Sequence, residues 1–375
     1  MRRFECQCGA SIFFDNTSCV GCKRALGYLP DRMTMSSIEP GDREEEYRAS
    51  ASPHAAYRSC RNYARENVCN WMVGIDDASP FCIACRLNDT IPNLDHPAHR
   101  AYWASIEASK RRLVYSLLEL GLPVQSKQET PKGLAFAFLA GASATSPDGA
   151  GQKVLTGHND GLITINIAEA DEIERELTRR QMHEAYRTLL GHFRHESGHY
   201  YWNLLVDGSE MLDRVRHLFG DEREDYAEAL RRHYADGAPA DWSTRFVSSY
   251  ASSHPWEDWA ESWAHYLHLT DTLETAKAFG VEPRDDGLTR QQLSGMIDGA
   301  AVSESFAATL GDWVRLSLAL NAMNRSMGMR DPYPFVLNRV LASKLALVHD
   351  VVSSARERGR TRPVAATRDQ RPSPT

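Results

Sequence analysis

The apolar positions along the chain follow two different periods. In four segments they recur every three or four residues, which predicts helices, and in two segments they alternate with polar residues, which predicts strands. The predicted helices span residues 96–122, 180–206, 313–323 and 335–352. The predicted strands span residues 133–140 and 154–168. The pattern therefore predicts an α+β fold that is mainly helical and contains a small sheet.

Composition and the positions of turn-forming residues divide the chain into parts. Residues 1–30 and 57–95 contain all 8 cysteines and predict two small four-cysteine modules. Residues 31–56, rich in Ser, Pro, Asp and Glu, are predicted to connect them. Residues 96–355 hold the predicted helices and strands and form the main domain. The stretch 356–375 has too few apolar residues to fold and is dominated by Arg, Pro, Thr and Ser, so a disordered tail is expected there.

The segment His195-Glu196-Ser197-Gly198-His199 carries the most specific chemical signal. Residues four apart share one helical face, so His195 and His199 can bind one metal ion while Glu196 points to its open side. Zinc suits this geometry, because it lowers the pKa of a water at its fourth position to about 7 and makes that water a nucleophile. Gly198 costs a helix roughly 1 kcal/mol relative to alanine, which predicts that another group approaches the helix closely there.

A second helix, which Pro255 is expected to open, supplies the best third ligand. Glu257 and Glu261 are four residues apart and share a face. Two carboxylates that face a core are costly unless they are paired or bound to metal. We assign Glu257 as the third zinc ligand and Glu261 as the acceptor of a hydrogen bond from one zinc-bound histidine, which fixes the orientation of its ring.

Other residues compete for the role of third ligand. The acidic run 221–225 follows the first metal helix, but its dense charge is more typical of the start of a solvated helix. His192 lies near the face of His195, yet a fourth protein ligand would close the position that catalysis needs. His265 and His268 lie farther along the second helix and are expected in the core or on the surface.

The cysteines form two groups that each end in a Cys-x-x-Cys pair, a spacing that matches tetrahedral zinc–thiolate sites. The first group is Cys6, Cys8, Cys19 and Cys22, and the second is Cys60, Cys69, Cys82 and Cys85. The first predicts a zinc ribbon, while the wider spacing of the second leaves cross-pairing between the groups open. Disulfides are the alternative. They are disfavoured because the N-terminal residues Met1-Arg2-Arg3-Phe4 lead into polar sequence without the apolar segment of a secretion signal, so a reducing cytoplasmic location is expected.

Composition agrees with an enzyme of moderate size. The 375 residues are 42% hydrophobic and carry a net charge of −7, which gives no general attraction to nucleic acid. The first cysteine module offers only Arg2, Arg3, Lys23 and Arg24 as cations, so nucleic-acid binding is not expected. No apolar run is long enough to cross a membrane, and membrane binding is not expected either.

The order of these features resembles bacterial zinc-binding metallopeptidases that carry an N-terminal zinc-ribbon region. The resemblance rests on Cys19-Val20-Gly21-Cys22, Cys69-Asn70-Trp71, the runs 82–88 and 186–195, and His254-Pro255-Trp256-Glu257. It implies a zincin-like metallopeptidase domain after the zinc modules, and peptidase activity on a peptide or protein substrate that the sequence does not name. By the same resemblance, the strand before the metal helix would bind an extended substrate.

The second helix is similar to that of lethal-factor-type toxin peptidases, which carry a tyrosine seven residues before the glutamate ligand. Tyr250 occupies that position relative to Glu257. The resemblance implies that the Tyr250 phenol stabilises the oxyanion of the tetrahedral intermediate. The alternative is an ordinary packed tyrosine.

Three functional hypotheses follow. In the first, the protein is a zinc peptidase with Glu196 as general base and three zinc ions, one catalytic and two structural. In the second, it is a zinc-stabilised interaction module whose metallopeptidase domain no longer turns over. A non-peptide hydrolase is the third, because zinc-activated water also cleaves other acyl bonds. Glu196 favours an enzyme, since a binding module needs no base beside its metal.

Overall fold

The computed structural model of the chain describes residues 1–141, 154, 156–181, 186–282 and 302–361. Several parts of the sequence predictions lie outside the described residues. They are positions 142–153 and 283–301 of the predicted main domain, position 155 of the second predicted strand segment, positions 182–185 of the predicted helix 180–206, and positions 362–375 of the predicted tail.

The N-terminal part of the chain is built from short strands. The strands are β1 (Phe4–Glu5), β2 (Ser11–Ile12), β3 (Leu26–Leu29), β4 (Thr34–Pro40), β5 (Tyr47–Ala49), β6 (Ser52–Ser59) and β7 (Met72–Gly74), with the one-turn helix α1 (Arg61–Ala64) before β7. Strands β3 to β7 form one antiparallel sheet in chain order. Its edges meet where the Tyr28 N–H donates to the Asn70 carbonyl at 2.8 Å, so the sheet closes into a small barrel.

The prediction that residues 31–56 merely connect the cysteine modules was wrong. Strands β4 and β5 and the start of β6 lie within that segment and pair with one another. Its polar composition concealed them, because Ser36 and Ser37 are buried in the barrel and both bond the Ser50 hydroxyl, at 3.1 and 2.8 Å. Hydrogen bonding makes such burial affordable for small polar side chains.

The main domain combines one small sheet with helices. Its strands are β8 (Asn88–Thr90), β9 (Ala135–Leu139), β10 (Gly157–Asn159) and β11 (Leu162–Asn166), and its helices are α2 (His99–Glu119), α3 (Glu172–Gln181), α4 (Leu189–Tyr201), α5 (Leu212–Phe219), α6 (Tyr226–Asp236), α7 (Pro255–Ala278), α8 (Glu304–Ser326) and α9 (Arg339–Thr361). The sheet order is β10-β11-β9-β8, which places β10 at an edge. The predicted α+β fold, mainly helical with a small sheet, is therefore confirmed.

Helices α4 and α7, which carry the predicted metal ligands, both begin at defined N-caps. The prediction that the first of these helices starts at residue 180 was wrong. Helix α4 starts at Leu189, because Thr188 is extended (φ −138°, ψ 154°) and its hydroxyl accepts a hydrogen bond from the Gly191 N–H at 3.0 Å. This is an N-cap, which starts a helix by satisfying an unpaired amide. Helix α7 begins at Pro255 as predicted, with His254 as the residue whose side chain accepts from the Trp256 N–H.

Close packing joins α4 to α7. A Cβ on Gly198 would lie 2.9 Å from the Ala260 Cα and 3.1 Å from the Trp263 Cβ, so the helices touch at a point that only glycine allows. The Trp259 indole donates to the Gly198 carbonyl at 3.0 Å, and the Trp263 indole donates to the Ser197 hydroxyl at 3.1 Å. The close approach predicted at Gly198 is confirmed, and it fixes the separation of the two helices.

Helices α8 and α9 overlap the predicted segments 313–323 and 335–352, but residues 335–338 lie before the start of α9. Helix α9 continues to Thr361, so residues 356–361 are helical and not part of a disordered tail. No helix in the described part of the chain is both long and apolar enough to cross a bilayer.

Candidate active site

Helices α4 and α7 bring three predicted metal ligands together. One ligand atom each from His195, His199 and Glu257 lies within 4.8 Å of the others. The Glu257 Oε2 is 3.0 Å from the His195 Nε2 and 3.7 Å from the His199 Nε2. Around a zinc ion with bonds of about 2.0–2.1 Å, tetrahedral ligand atoms are about 3.4 Å apart. The two observed separations bracket that value, so the donor set fits a zinc ion.

A buried oxygen supports the same conclusion. The Glu257 Oε2 is buried and accepts no hydrogen bond from any residue in the described part of the chain, although the His195 Nε2 is so near. A buried carboxylate oxygen without a partner is costly. A cation held between the Glu257 Oε2 and the His195 Nε2 would satisfy the oxygen, because both atoms could then direct a lone pair at the cation.

Glu261 is hydrogen-bonded to one of the two predicted metal-binding histidines. The His195 Nδ1 donates to the Glu261 Oε1 at 2.8 Å, and the Ser248 hydroxyl donates to the Glu261 Oε2 at 2.7 Å. With the proton of a neutral imidazole on Nδ1, the Nε2 lone pair is free for metal. Burial lowers the pKa of His195, but Glu257 and Glu261 outweigh it and raise that pKa well above its usual value.

Tyr226 is a functional candidate that sequence reasoning missed. Its hydroxyl donates to the Glu257 Oε1 at 2.7 Å, which leaves Oε2 to face the histidines. The ring packs edge-on against His254 with centroids 5.2 Å apart. Tyr226 is the first residue of α6, and no motif in the sequence connects that helix start with α7.

Glu196 lines the cleft beside the ligand cluster and is 8% exposed. The cleft has a volume of about 380 Å³ and opens to solvent. Burial raises the pKa of the Glu196 carboxyl above its ordinary value, although His195 and His199 act against the shift. A carboxylate with a raised pKa is a better proton acceptor at neutral pH.

Tyr250 lies in the same cleft, on a single 3-10 turn (Tyr250–Ser252) before α7. Its ring centroid is 6.0 Å from that of His195. Burial raises the pKa of Tyr250 above its ordinary range, so the phenol keeps its proton and can donate. His254, in contrast, has both ring nitrogens engaged, with the Trp256 N–H at 3.0 Å and the Glu224 carbonyl at 3.1 Å.

His158 is a second residue that the sequence did not reveal. It comes from the edge strand β10 and lines the cleft. The His199 ring stacks with two other rings. Its centroid is 6.2 Å from that of His158, with an angle of 23° between the ring planes, and 5.0 Å from that of Trp256, with an angle of 10°. Burial lowers the pKa of His158 to about 4, with a further contribution from His199, so this imidazole is neutral near pH 7.

The competing residues do not join the ligand cluster. Asp225 caps α6 by accepting the Glu228 N–H, and Glu222, which lines the cleft, is held by Arg216 at 2.6 Å. His192 is 3.9 Å from a Glu169 oxygen.

The two remaining histidines of α7 belong to the core. The His265 Nδ1 is 2.8 Å from the Tyr333 hydroxyl. The His268 ring lies against Trp313 and Tyr333, with centroids 5.6 and 5.3 Å apart.

The cysteines form two local clusters and no cross-paired set. Within each cluster the Sγ atoms lie within 4.8 Å of one another. Neighbouring sulfurs are 3.7 Å apart in the pairs Cys6–Cys22 and Cys8–Cys19, and 3.9 Å apart in Cys69–Cys82. Tetrahedral zinc with 2.3 Å bonds to sulfur separates its ligands by about 3.8 Å, whereas a disulfide is about 2.05 Å long. The geometry fits zinc and excludes disulfides in this structure.

Helix α2 ties the second cluster to the main domain. The Glu107 Oε2 is 3.9 Å from the Cys85 sulfur, and the fully buried Lys110 ammonium is 2.9 Å from the Glu107 Oε1. The Arg111 guanidinium donates to the Val68 carbonyl, one residue before Cys69. A buried cation beside this cluster offsets the negative charge of four thiolates.

Comparison with known proteins agrees with the site. A family described as "Putative zinc-binding metallo-peptidase" matches residues 99–351, and a zinc-ribbon domain family matches residues 3–96. The uncharacterized proteins Mb2598c of Mycobacterium bovis and Rv2568c of Mycobacterium tuberculosis are each 40% identical to this chain over 355 residues, which cover 94% of the chain and 95% of each relative. No solved structure matches. The resemblance drawn from the motifs is confirmed, and the chain belongs to this family of zinc-binding metallopeptidases with an N-terminal zinc-ribbon domain.

Proposed function

We propose that the protein is a zinc-dependent peptidase in which Glu196 is the general base. The observation that carries this proposal is the convergence of His195, His199 and Glu257 beside Glu196 in one open cleft. A site that only needed metal for stability would be closed by a fourth protein ligand, as in the cysteine clusters. Here the three ligands face a cleft that can admit a substrate.

The residues of the cleft have complementary tasks in peptide hydrolysis. Zinc, when bound by His195, His199 and Glu257, would polarise the peptide carbonyl and make a water acidic enough to attack it. Glu196 takes the proton of the attacking water and passes it to the leaving nitrogen, so the carboxylate is regenerated when the C–N bond breaks. Tyr250 donates a hydrogen bond to the carbonyl oxygen as negative charge develops there.

The two cysteine clusters complete the metal content that we propose. Each would hold one structural zinc, for a total of one catalytic and two structural ions. Zinc–thiolate sites suit a reducing compartment, so we infer a cytoplasmic location. The substrate that we propose, a peptide or protein, follows from the peptidase activity. The net charge of −7 gives nucleic acid no general attraction.

An inactive interaction module is the alternative. Glu196 argues against it. Its carboxylate is 8% exposed and accepts no hydrogen bond from a described residue, so it destabilises the folded state and is expected only where it has a function. A hydrolase of other acyl bonds would use the same groups, and substrate identity separates it from a peptidase.

The test compares wild type with Glu196→Gln on a quenched-fluorescence peptide library. Wild type restored with zinc should cleave peptides, whereas Glu196→Gln should keep its zinc and lose cleavage. Glu210→Gln, an exposed control, should behave as wild type. Tyr250→Phe should lower kcat by about 10²- to 10³-fold with little change in KM. Equal cleavage by wild type and Glu196→Gln would contradict the proposed mechanism, and full activity of Tyr250→Phe would contradict the role of its hydroxyl.

A further inference from the structure

The position of His158 gives it access to whatever the cleft binds. Within the described part of the chain, strand β10 is at the edge of its sheet and pairs with β11 alone. His158 is its central residue, and it lines the cleft together with Glu196 and His199. A side chain at this place lies beside the reacting centre without belonging to the proposed ligand set.

The turn after β10 fixes the orientation of the His158 ring. Asp160 (φ 44°) and Gly161 (φ 80°) form a two-residue turn between β10 and β11. The Gly161 N–H donates to the His158 Nε2 at 2.9 Å. A histidine nitrogen that accepts a hydrogen bond carries no proton, so the hydrogen of the neutral ring is on Nδ1.

The second ring nitrogen is therefore a donor. Among the described residues, none accepts a hydrogen bond from the His158 Nδ1. Stacking near His199 and edge contact with Tyr200, whose ring centroid is 6.4 Å away, further limit rotation of the ring. A neutral donor held rigidly beside a metal site suits an oxygen acceptor on the substrate, and most oxygens of a peptide are backbone carbonyls.

We propose that His158 binds a backbone carbonyl oxygen of the substrate through its Nδ1–H and so positions the peptide beside the metal centre. This proposal rests on the peptidase function proposed above. Because the carbonyl is bound similarly before and during the reaction, the interaction contributes to binding and not to the chemical step. Its loss should appear in KM and in peptide affinity.

Two matched variants separate the two ring nitrogens. In His158→Asn the amide nitrogen takes the place of Nδ1, so a donor is kept and the bond from Gly161 is lost. In His158→Gln the amide oxygen takes the place of Nε2, so the bond from Gly161 is kept and the donor is lost. If His158 is only a structural part of the turn, Gln should be the milder change. If it binds substrate, Asn should be the milder change.

The experiment measures binding separately from turnover. Zinc-loaded protein with Glu196→Gln is titrated into a fluorescein-labelled random dodecapeptide pool, and affinity is read from anisotropy. Adding His158→Gln should weaken affinity by about 3- to 10-fold, as expected for one neutral hydrogen bond, whereas His158→Asn should restore part of it. Zinc content should not change in either variant. With a peptide that wild type cleaves, His158→Gln should raise KM by the same factor.

Each other outcome has a definite meaning. Unchanged affinity in His158→Gln, no measurable binding of the pool to the Glu196→Gln protein, or a larger loss with Asn than with Gln would overturn the proposal for His158. Nitrogen-15 NMR of histidine-labelled protein adds a test that needs no substrate, because a hydrogen on Nε2 would also overturn it. Absence of cleavage by wild type, with the pool still bound through His158, would contradict the peptidase function alone.

Discussion

Replacing Gly198 with alanine tests whether the separation of α4 and α7 controls the metal site. The new Cβ would lie 2.9 Å from the Ala260 Cα and 3.1 Å from the Trp263 Cβ. Carbon atoms in contact are normally about 3.5–4.0 Å apart. The helices must therefore move apart by roughly 0.5–1 Å, because the nearest atom is backbone and cannot rotate away.

The energy of this change is the sum of opposing terms. Alanine favours a helix over glycine by about 0.8–1.0 kcal/mol, while overpacking a core costs about 1–3 kcal/mol. Separation also stretches the bonds from the Trp259 and Trp263 indoles to α4, each of which contributes about 1 kcal/mol. We expect Gly198→Ala to lower the free energy of unfolding by about 1–3 kcal/mol. Zinc affinity should fall as well, because metal ligands tolerate displacements of only about 0.2 Å.

The assay is urea unfolding of chelator-treated protein, followed by zinc competition against a fluorescent chelator. Gly359→Ala, in helix α9, is the control, because the Gly121 carbonyl oxygen, at 3.9 Å, is the one atom of the described residues within 4 Å of a Cβ there. The control should be as stable as wild type or slightly more stable. If Gly198→Ala were equally stable and bound zinc as wild type does, close packing would not define the site and this reasoning would be refuted.

Three further predictions follow from contacts around the site. Glu257→Ala should lose the catalytic zinc, whereas Glu261→Ala should lower the affinity for that zinc only about 10- to 100-fold. Zinc analysis after dialysis measures both, and a greater loss of zinc from Glu261→Ala would contradict the assignment. Tyr226→Phe should weaken zinc affinity without unfolding the protein, which competition titration measures, and unchanged affinity would deny it a role in holding Glu257. Lys344→Met removes the cation 2.6 Å from the buried Asp258 and should lower stability by about 3–5 kcal/mol at pH 8. Burial raises the pKa of Asp258 to about 7, so the carboxyl is protonated and needs no cation at pH 5, and urea unfolding should give a smaller loss there than at pH 8.

The helices of the site were predictable because their signals are local. His195 and His199 share a face by their spacing alone, and Pro255 marks the start of α7. Assigning Glu257 to the same metal required only that buried carboxylates need partners. In the structure the Glu257 Oε2 is 3.0 Å from the His195 Nε2 and 3.7 Å from the His199 Nε2.

Residues that reach the site through tertiary packing were not predictable. His158 lies on a short edge strand, and Tyr226 begins a helix whose sequence contains no metal motif. Nothing along the chain relates either residue to His199 or Glu257. Only the fold places the Tyr226 hydroxyl 2.7 Å from the Glu257 carboxylate.

The barrel in the N-terminal part was missed for a different reason. Strand prediction depends on alternating apolar residues, but Ser36, Ser37 and Ser52 are buried in this sheet. Their composition is that of a loop. The Ser36 and Ser37 hydroxyls bond the hydroxyl of Ser50, which lies 14 and 13 residues farther along the chain, so this contact leaves no trace in the local sequence.

Hydrolysis in water enriched in oxygen-18 tests the central claim most directly. A cell lysate is incubated in this water with wild type, Glu196→Gln or His195→Ala protein, and new peptide ends are identified by mass spectrometry. If Glu196 activates water for attack on peptide bonds, wild type should generate new C-terminal carboxylates that carry one heavy oxygen, and neither variant should generate them. The same set of new ends in all three samples, or none in any, would contradict the assignment of this protein as a zinc peptidase.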